Sequence, residues 1–357
     1  MPSNTRQARE TLVLLDTHAI IHRAYHALPP LTDPSGAPVG AVYGLSAMLI
    51  RLIKELKPDY LVAAYDLPGP THRHEAYKEY KATRKKTDDE LVLQIERSRD
   101  VLAAFGIPIL EAPGFEADDV IGTLATKEKK DYDIIIASGD MDTLQLVDGD
   151  RVRVYTLKKG INDTVIYNED RVKERYGFPP PAVVDYKGLA GDSSDNIIGI
   201  PGIGEKTATE LIQKYGGINA MYAALKKNKN ALVDDGFKAR VQKLVVEHED
   251  EAEFSKVLAT IRTDAPVTFV ANKVADVLHV DAVKAFFHEL GFRSLVTRAD
   301  ELVHSSESIV HRKKNPSADS PAMNSQLFKQ CAVMTWLLNS SLPNPGLDDI
   351  RARARVR

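Results

Sequence analysis

The sequence predicts an α/β fold in which helices flank a mostly parallel β-sheet, followed by a smaller helical region. Two observations support the sheet. Short apolar runs without polar alternation recur along residues 1–175, as expected of strands that are buried on both faces. Segments with helical periodicity separate these runs, and strands that alternate with helices form parallel sheets. A third observation marks the helical region, because from about residue 177 glycine-rich turns and helical patterns dominate.

The individual elements follow from local patterns. The predicted strands lie at 11–16, 60–66, 107–112, 132–140 and 151–156. The helix predicted at 41–57 ends before Pro58, because the residue preceding a proline disfavours helical geometry. The helix at 89–106 is closed by Gly106, a typical residue at the end of a helix. A further helix begins after Glu116, and residues 199–217 combine a glycine turn with a helix.

The length and composition limit the class of protein. The 357 residues are enough for about two domains. No apolar stretch approaches the roughly 20 residues of a membrane span, and the N-terminus lacks the apolar core of a secretory signal, so we expect no membrane partner. The lone cysteine, Cys331, excludes an internal disulfide and fits a reducing, cytoplasmic compartment. The net charge of −3 does not exclude nucleic acid, because basic residues can be grouped locally.

Acidic residues follow the predicted strands at the point where each strand ends. Since the carboxyl ends of parallel strands meet at one edge of a sheet, we expect these side chains to lie together. The segment GDSSDN adds two more aspartates, three residues apart. The full set is Asp16, Asp66, Glu116, Asp118, Asp119, Asp140, Asp142, Asp192 and Asp195.

The same acids also have an ordinary explanation, because each could be a loop or helix-capping residue, and Asp119 is expected to cap its helix as well. As a set they are harder to explain in this way. Two carboxylates about 4 Å apart repel by roughly 4 kcal/mol at an effective dielectric near 20. No matching Lys or Arg lies beside them in sequence. We therefore predict that Mg²⁺ or Mn²⁺ neutralises them, with two or more ions that activate a water and stabilise a leaving oxygen.

A basic segment with interleaved tyrosines, residues 72–86, directly follows the second strand. A solvated helix face would explain such a run of charge. Its position beside the acidic edge favours a second explanation, in which Lys and Arg bind a phosphate backbone. Tyr77 and Tyr80 could then stack on unpaired bases.

The glycine turn GIPGIGEKTA, residues 199–208, leads into a helix. Its glycines allow the backbone to approach a phosphate, and the helix N–H groups can point at it. Lys206 adds positive charge. A packing hairpin between two helices is the plainer alternative.

Together these motifs resemble the 5′-nuclease domain of bacterial DNA polymerase I, in the flap endonuclease superfamily. The resemblance covers roughly residues 11–296. It rests on the segments LLDTHAIIHRAYHAL, AVYGLSAML, RHEAYKEYKATRKK, GFEADDVIGTLA, SGDMDTLQLV, GLAGDSSDNIIGIPGIGEKTA and GFRSL, in this order.

The resemblance implies a PIN-like core at 1–175 with a helical arch at about 70–100, and a helical DNA-binding subdomain at 176–300. It also implies 5′→3′ exonuclease and flap endonuclease activity on DNA with a 5′ flap, nick or free 5′ end. The nine acids match the metal-site acids of the family, among them the catalytic Asp140. Arg73, Tyr80, Lys81 and Arg84 match the arch, with Lys81 and Arg84 in catalytic roles.

Gly202, Gly204, Lys206 and Thr207 match the helix–three-turn–helix, which grips duplex DNA and often holds K⁺. The family also implies primer removal and repair in a bacterial, nucleoid-associated setting, with a separate DNA polymerase and a ligase as partners. Residues 304–326 are polar and rich in Ser and Pro, typical of a linker, and 332–350 resemble a vestige of the exonuclease-like domain of the polymerase. The domain limits therefore place linker and vestige at 301–357. Two alternatives stay open: a non-catalytic DNA-binding remnant, and a PIN-type ribonuclease.

Overall fold

The computed structural model describes the backbone of residues 9–159 and 163–312, and the side chains of 9–156 and 163–302. Backbone contacts group Met1–Ile309 into one compact unit, and most of the other unit, Val310–Arg357, lies outside the described residues. The possible vestige at 332–350 is also outside them. No helix in the described ranges has both the length and the apolar character that crossing a membrane requires.

The described chain contains six strands, fifteen α-helices and two short 3₁₀ turns. The strands are β1 (Thr11–Asp16), β2 (Tyr60–Ala64), β3 (Ile109–Leu110), β4 (Asp133–Ala137), β5 (Val152–Lys159) and β6 (Asp163–Tyr167). The helices that accompany the sheet are α1 (Thr17–Ala27), α2 (Gly40–Leu56), α3 (His72–Ala76), α4 (Asp89–Ala104), α5 (Ala117–Glu128) and α6 (Glu169–Tyr176). The 3₁₀ turns lie at Met141–Leu146 and Pro180–Ala182.

The second half is helical. Its helices are α7 (Val183–Ala190), α8 (Glu205–Tyr215), α9 (Ile218–Lys227), α10 (Ala231–Asp234), α11 (Ala239–Glu247), α12 (Glu249–Ala259), α13 (Val274–Val277), α14 (Val280–Glu289) and α15 (Arg293–Arg312). The last helix extends into the segment predicted as a linker, because residues 301–312 continue its helical backbone.

The six strands form one sheet in the order β3-β2-β1-β4-β5-β6. All pairs are parallel except β5 and β6, which are antiparallel. The predicted parallel sheet with flanking helices is therefore confirmed, with an additional antiparallel edge strand. β3 is shorter than the run at 107–112 indicates, because only two of its residues pair with β2.

Both faces of the central strand are buried, which explains its uninterrupted apolar run. Leu12 and Leu14 of β1 belong to a core cluster shared with α5 and α7, whereas Val13 and Leu15 belong to a second cluster shared with α2, α4 and α14. Polar side chains can therefore appear only where a strand ends. Asp16 is the last residue of β1, and it opens the functional edge of the sheet.

Candidate metal centre

Seven of the nine acidic side chains predicted to bind metal line one pocket at the carboxyl ends of the parallel strands. The pocket has a volume of about 550 Å³. These seven are Asp16, Asp66, Glu116, Asp118, Asp140, Asp142 and Asp192. The parallel topology brings together residues that are up to 176 positions apart in the chain, from Asp16 to Asp192.

Local structure fixes the direction of several of these carboxylates. Asp16 is the N-cap of α1, where its Oδ1 accepts a hydrogen bond from the Ala19 N–H at 3.1 Å, and its Oδ2 accepts one from Ser138 Oγ at 2.6 Å. Asp140 caps the 3₁₀ turn that follows β4, since its Oδ1 accepts from the Asp142 N–H at 2.8 Å. The capping explanation and the metal explanation thus apply to the same side chains.

The loop that carries Asp192 and Asp195 is a tight hairpin. The Asp192 and Ile197 backbones exchange two hydrogen bonds of 2.8 Å. At the base of this hairpin the backbones of Gly191 and Gly199 approach each other closely, since a Cβ added to Gly199 would lie 2.2 Å from the Gly191 nitrogen. Both glycines have positive φ, so neither their conformation nor the space between them suits another residue.

Asp119 differs from the other acids, because it is fully buried and faces the protein interior. Its oxygens accept hydrogen bonds from the Arg73 guanidinium at 2.8 and 2.9 Å, from the Arg262 N–H at 2.8 Å and from the Glu116 N–H at 3.1 Å. It also forms a capping box with Glu116 at the start of α5. These donors occupy Asp119, so its surroundings support the predicted cap and not the predicted metal ligand.

Arg73 and Tyr80 are buried beside the same acids. Arg73 is 2 % exposed and binds Asp119, Glu116 and the carbonyl oxygens of Leu258 and Thr260. Tyr80 is 3 % exposed. Its hydroxyl lies within hydrogen-bond distance of two carboxylates, 3.2 Å from Glu116 Oε2 and 3.0 Å from Asp195 Oδ2. Neither side chain reaches the surface in this structure, so contact with DNA stays a prediction for both. They join the arch segment to the acidic site.

Lys81 and Arg84, the other two basic residues predicted to act in the arch, lie at the pocket. Lys81 Nζ is 2.9 Å from Glu116 Oε2, and Arg84 Nη2 is 2.5 Å from Asp195 Oδ1. Lys81 adopts a left-handed backbone conformation, with φ of 57°, and its N–H donates to the Asp195 carbonyl. The arch segment is thereby held against the GDSSDN loop. Tyr77 is half-buried and packs edge-on against Phe254, so stacking on a base remains a prediction for it.

In this arrangement several of the acids pair with basic side chains. No three acidic, histidine or cysteine side chains among the described residues are grouped closely enough to hold one ion. No matching Lys or Arg lies beside the acids in sequence, but the fold brings basic residues into contact with several of them. Basic side chains from other parts of the chain contact these acids, among them Arg73, Lys81, Arg84 and Lys187.

The chemistry of the acids nevertheless fits a hard divalent cation. Asp118 Oδ1 is buried without a hydrogen-bond partner. Burial raises the pKa of Asp16 to about 7 against its two hydrogen bonds, with Asp66 and Asp140 adding to the effect. Burial next to Asp140 likewise raises the pKa of Asp142 to about 7. Buried carboxylates of this kind are costly to ionise alone, and an Mg²⁺-type ion with oxygen ligands would stabilise their charged form.

The raised pKa of Asp16 predicts an unusual pH dependence for the metal-free protein. The folded state keeps this proton up to about pH 7, while the unfolded chain releases it near the ordinary value of 3.8. Stability is therefore lost as pH rises between these two values. In a chelator at pH 8, we expect Asp16→Asn to raise the free energy of unfolding by up to about 4 kcal/mol. Chemical denaturation at pH 5 and pH 8 measures this, and an equal effect at both values would contradict it.

The glycine turn begins α8 as predicted. Gly204 is the N-cap residue and Gly202 has a φ of 88°, which favours glycine. Lys206 is exposed and Thr207 is half-buried in the first turn of the helix. These four residues lie on the surface, where they could meet a phosphate.

Several residues of the pocket were missed by sequence reasoning. His18 and His22 lie one helical turn apart on α1 and line the pocket with Arg23. His18 Nδ1 accepts a hydrogen bond from the Asp66 N–H at 3.2 Å, so it fixes the loop after β2. Their i, i+4 spacing just after Asp16 was the available signal. Lys187, which contacts Asp142 and Asp192 of the pocket, has no such signal in the sequence.

Comparisons with known proteins agree with this geometry. Residues 11–177 match the family profile described as 5′-3′ exonuclease, N-terminal resolvase-like domain, and residues 178–280 match 5′-3′ exonuclease, C-terminal SAM fold. The chain is 38% identical over 295 residues to DNA polymerase I of Bacillus subtilis, covering 82% of this chain and 32% of that protein. Against DNA polymerase I of Pseudomonas aeruginosa it is 38% identical over 313 residues, covering 87% and 33%. The chain thus spans about a third of the length of the curated relatives it matches.

Solved structures share the fold at low sequence identity. One is the bacteriophage T5 D15 flap endonuclease in a pseudo-enzyme-product complex with DNA and metal ions, with a TM-score of 0.58, 18% identity and coverage of 84% of this chain and 100% of that chain. Another is the catalytic core of Rad2 in complex with DNA substrate, with a TM-score of 0.54, 15% identity and coverage of 85% and 95%. Because the two family profiles together account for residues 11–280, the chain belongs to the 5′-3′ exonuclease family found in bacterial DNA polymerase I.

Proposed function

We propose that this chain is a metal-dependent, structure-specific 5′ nuclease that hydrolyses DNA phosphodiesters, as a 5′→3′ exonuclease and flap endonuclease. The observation that supports it most is the pocket itself. Seven carboxylates from the ends of separate segments line it together with Lys81 and Arg84. The pocket thus combines oxygen ligands for cations with donors for phosphate in a chain that belongs to the 5′-3′ exonuclease family.

The carboxylates of the pocket would hold the divalent ions, as Mg²⁺ or Mn²⁺, with Asp195 as a further ligand at its border. When bound, such ions lower the pKa of a water and stabilise the developing charge on a phosphodiester. Asp119 is left out of this set, because Arg73 and two backbone N–H groups occupy its oxygens.

Lys81 and Arg84 would bind and orient the scissile phosphate. In the structure they pair with Glu116 and Asp195, at distances of 2.9 and 2.5 Å. Divalent ions that engage these carboxylates would leave the two basic side chains available to the phosphate. Charge-assisted hydrogen bonds of this kind also fix the geometry of the phosphate relative to the acids.

The surface turn at Gly202 and Gly204 would grip the duplex through Lys206, Thr207 and the N–H groups that begin α8. K⁺ bound to backbone carbonyls there would add positive charge against the phosphates. We further propose a role in primer removal and repair in the bacterial cytoplasm, at the nucleoid, with a separate DNA polymerase and a ligase acting on the product.

A cleavage assay with labelled substrates tests this function. We expect the full chain to cut a 5′-flap duplex near the junction in Mg²⁺, to stop when EDTA removes the metal, and to leave single-stranded RNA intact. Cleavage of the RNA instead would favour a PIN-type ribonuclease. Binding of the flap duplex without cleavage in Mg²⁺ or Mn²⁺ would indicate a non-catalytic remnant, and cleavage that persists in EDTA would contradict a metal mechanism.

A further inference from the structure

A half-buried lysine lies between two of the acids of the pocket. Lys187, in the last turn of α7, has a side chain that is 14% exposed. Its Nζ contacts Asp142 Oδ1, in the 3₁₀ turn after β4, and lies 2.5 Å from Asp192 Oδ2, in the hairpin after α7. One ammonium therefore joins three segments of the chain at this end of the pocket.

The other hydrogen bonds of Asp192 leave one of its carboxylate oxygens to the ammonium of Lys187. Asp192 Oδ1 already accepts hydrogen bonds from the N–H and the Oγ of Ser194, at 2.8 and 2.7 Å. Its Oδ2 is directed to Lys187. Asp140 lies two residues before Asp142 and lines the same pocket, which adds a further negative charge. Lys187 thus occupies the position between Asp142 and Asp192 that a bridging cation would take.

We propose that Lys187 is a tethered cation that holds Asp142 and Asp192 in place of a divalent ion and competes with that ion for them. This inference rests on the proposed function. A divalent ion held by both carboxylates would displace the ammonium, which would then lose two ionic partners from a half-buried position. Lys187 therefore stabilises the metal-free site and weakens metal binding at this end of the pocket.

The test is the affinity of the metal-free protein for Mn²⁺, measured by titration calorimetry and by electron paramagnetic resonance of the free ion. Lys187→Met keeps most of the length of the side chain and removes its charge. We expect at least one Mn²⁺ site of this variant to bind about tenfold or more tightly than in the unaltered chain, because a unit positive charge next to the ion has been removed. We also expect a lower melting temperature in EDTA that Mn²⁺ restores.

Two further variants separate charge from packing. Lys187→Gln removes the charge but keeps a hydrogen-bond donor, and it is expected to tighten Mn²⁺ binding in the same direction, so the test does not depend on whether Met is tolerated. Lys187→Arg keeps the charge and should bind Mn²⁺ as weakly as the unaltered chain. The matched control is Lys256→Met, since Lys256 pairs at 2.7 Å with Asp185 of α7, which is not one of the acids that line the pocket.

The outcomes distinguish this inference from the proposed function. If the unaltered chain binds Mn²⁺ and neither neutral variant binds it more tightly, Lys187 does not compete and the inference is overturned. Weaker binding in both neutral variants would overturn it as well, because Lys187 would then support the metal site. If the unaltered chain and all variants bind no Mn²⁺, the proposed function fails first, and the inference with it.

Discussion

Replacing Asp140 with Asn is expected to reduce cleavage of a 5′-flap duplex in Mg²⁺ by about a hundredfold or more, because a carboxylate ligand of a catalytic ion supports several kcal/mol of transition-state stabilisation. The fold should persist. Asp140 Oδ1 accepts a hydrogen bond from the Asp142 N–H, and the oxygen of an Asn side chain can accept the same bond. Single-turnover rates on a labelled flap measure the effect.

Binding of the flap duplex should remain largely intact in this variant, since Asp140 donates nothing to a phosphate. Fluorescence anisotropy measures binding separately from cleavage. Asp148→Asn is the matched control, because Asp148 follows the same 3₁₀ turn, pairs with Lys129 at the surface and does not line the pocket. A cleavage rate for Asp140→Asn equal to that of Asp148→Asn would remove Asp140 from the catalytic site.

Replacing Arg73 with Met is expected to lower the free energy of unfolding by about 3–5 kcal/mol, since the change leaves buried charge without its partner. The guanidinium forms a two-pronged contact with Asp119, at 2.8 and 2.9 Å, and donates to the Leu258 and Thr260 carbonyl oxygens at 3.0 and 3.1 Å. It therefore joins the base of the arch to α5 and to the end of α12. Urea denaturation in EDTA at neutral pH measures the loss.

Arg262→Met provides the comparison, because Arg262 pairs with Asp264 through a side chain that is 39% exposed. Such an ion pair contributes about 1 kcal/mol or less. If the two variants lost similar amounts of stability, the buried contacts of Arg73 would not contribute the free energy of unfolding that we assign to them. A reduced affinity of folded Arg73→Met for flap DNA would support the predicted contact of this residue with DNA, and a retained affinity would contradict it.

The sequence predicts most of the sheet because burial on both faces leaves a strong local signal. Leu12 to Leu15 carry this signal in β1, where neighbouring side chains enter different core clusters. The sequence signal of β6 is weaker. Asp163–Tyr167 is short and mostly half-exposed along its length, so it lacks a continuous apolar run and was not predicted.

The acidic site could also be predicted from the sequence, because Asp16, Asp66 and Asp140 follow strands whose carboxyl ends must meet. The basic partners of these acids could not be predicted. Nothing in DYKGLAGD distinguishes Lys187 from a lysine on a solvated helix face, and its contact with Asp142 depends on how α7 packs. The burial of Arg73 likewise depends on carbonyl oxygens 185 and 187 positions away.

The position of Mn²⁺ in soaked crystals of the full chain tests the central claim most directly, since the anomalous scattering of the metal identifies it without reference to activity. We expect anomalous peaks inside the pocket, with oxygens of Asp16, Glu116 or Asp140 as ligands and the basic side chains moved away from the acids that bind the metal. A pocket without any peak, in which Lys81 and Lys187 still pair with Glu116 and Asp142, would contradict a metal centre at this edge of the sheet.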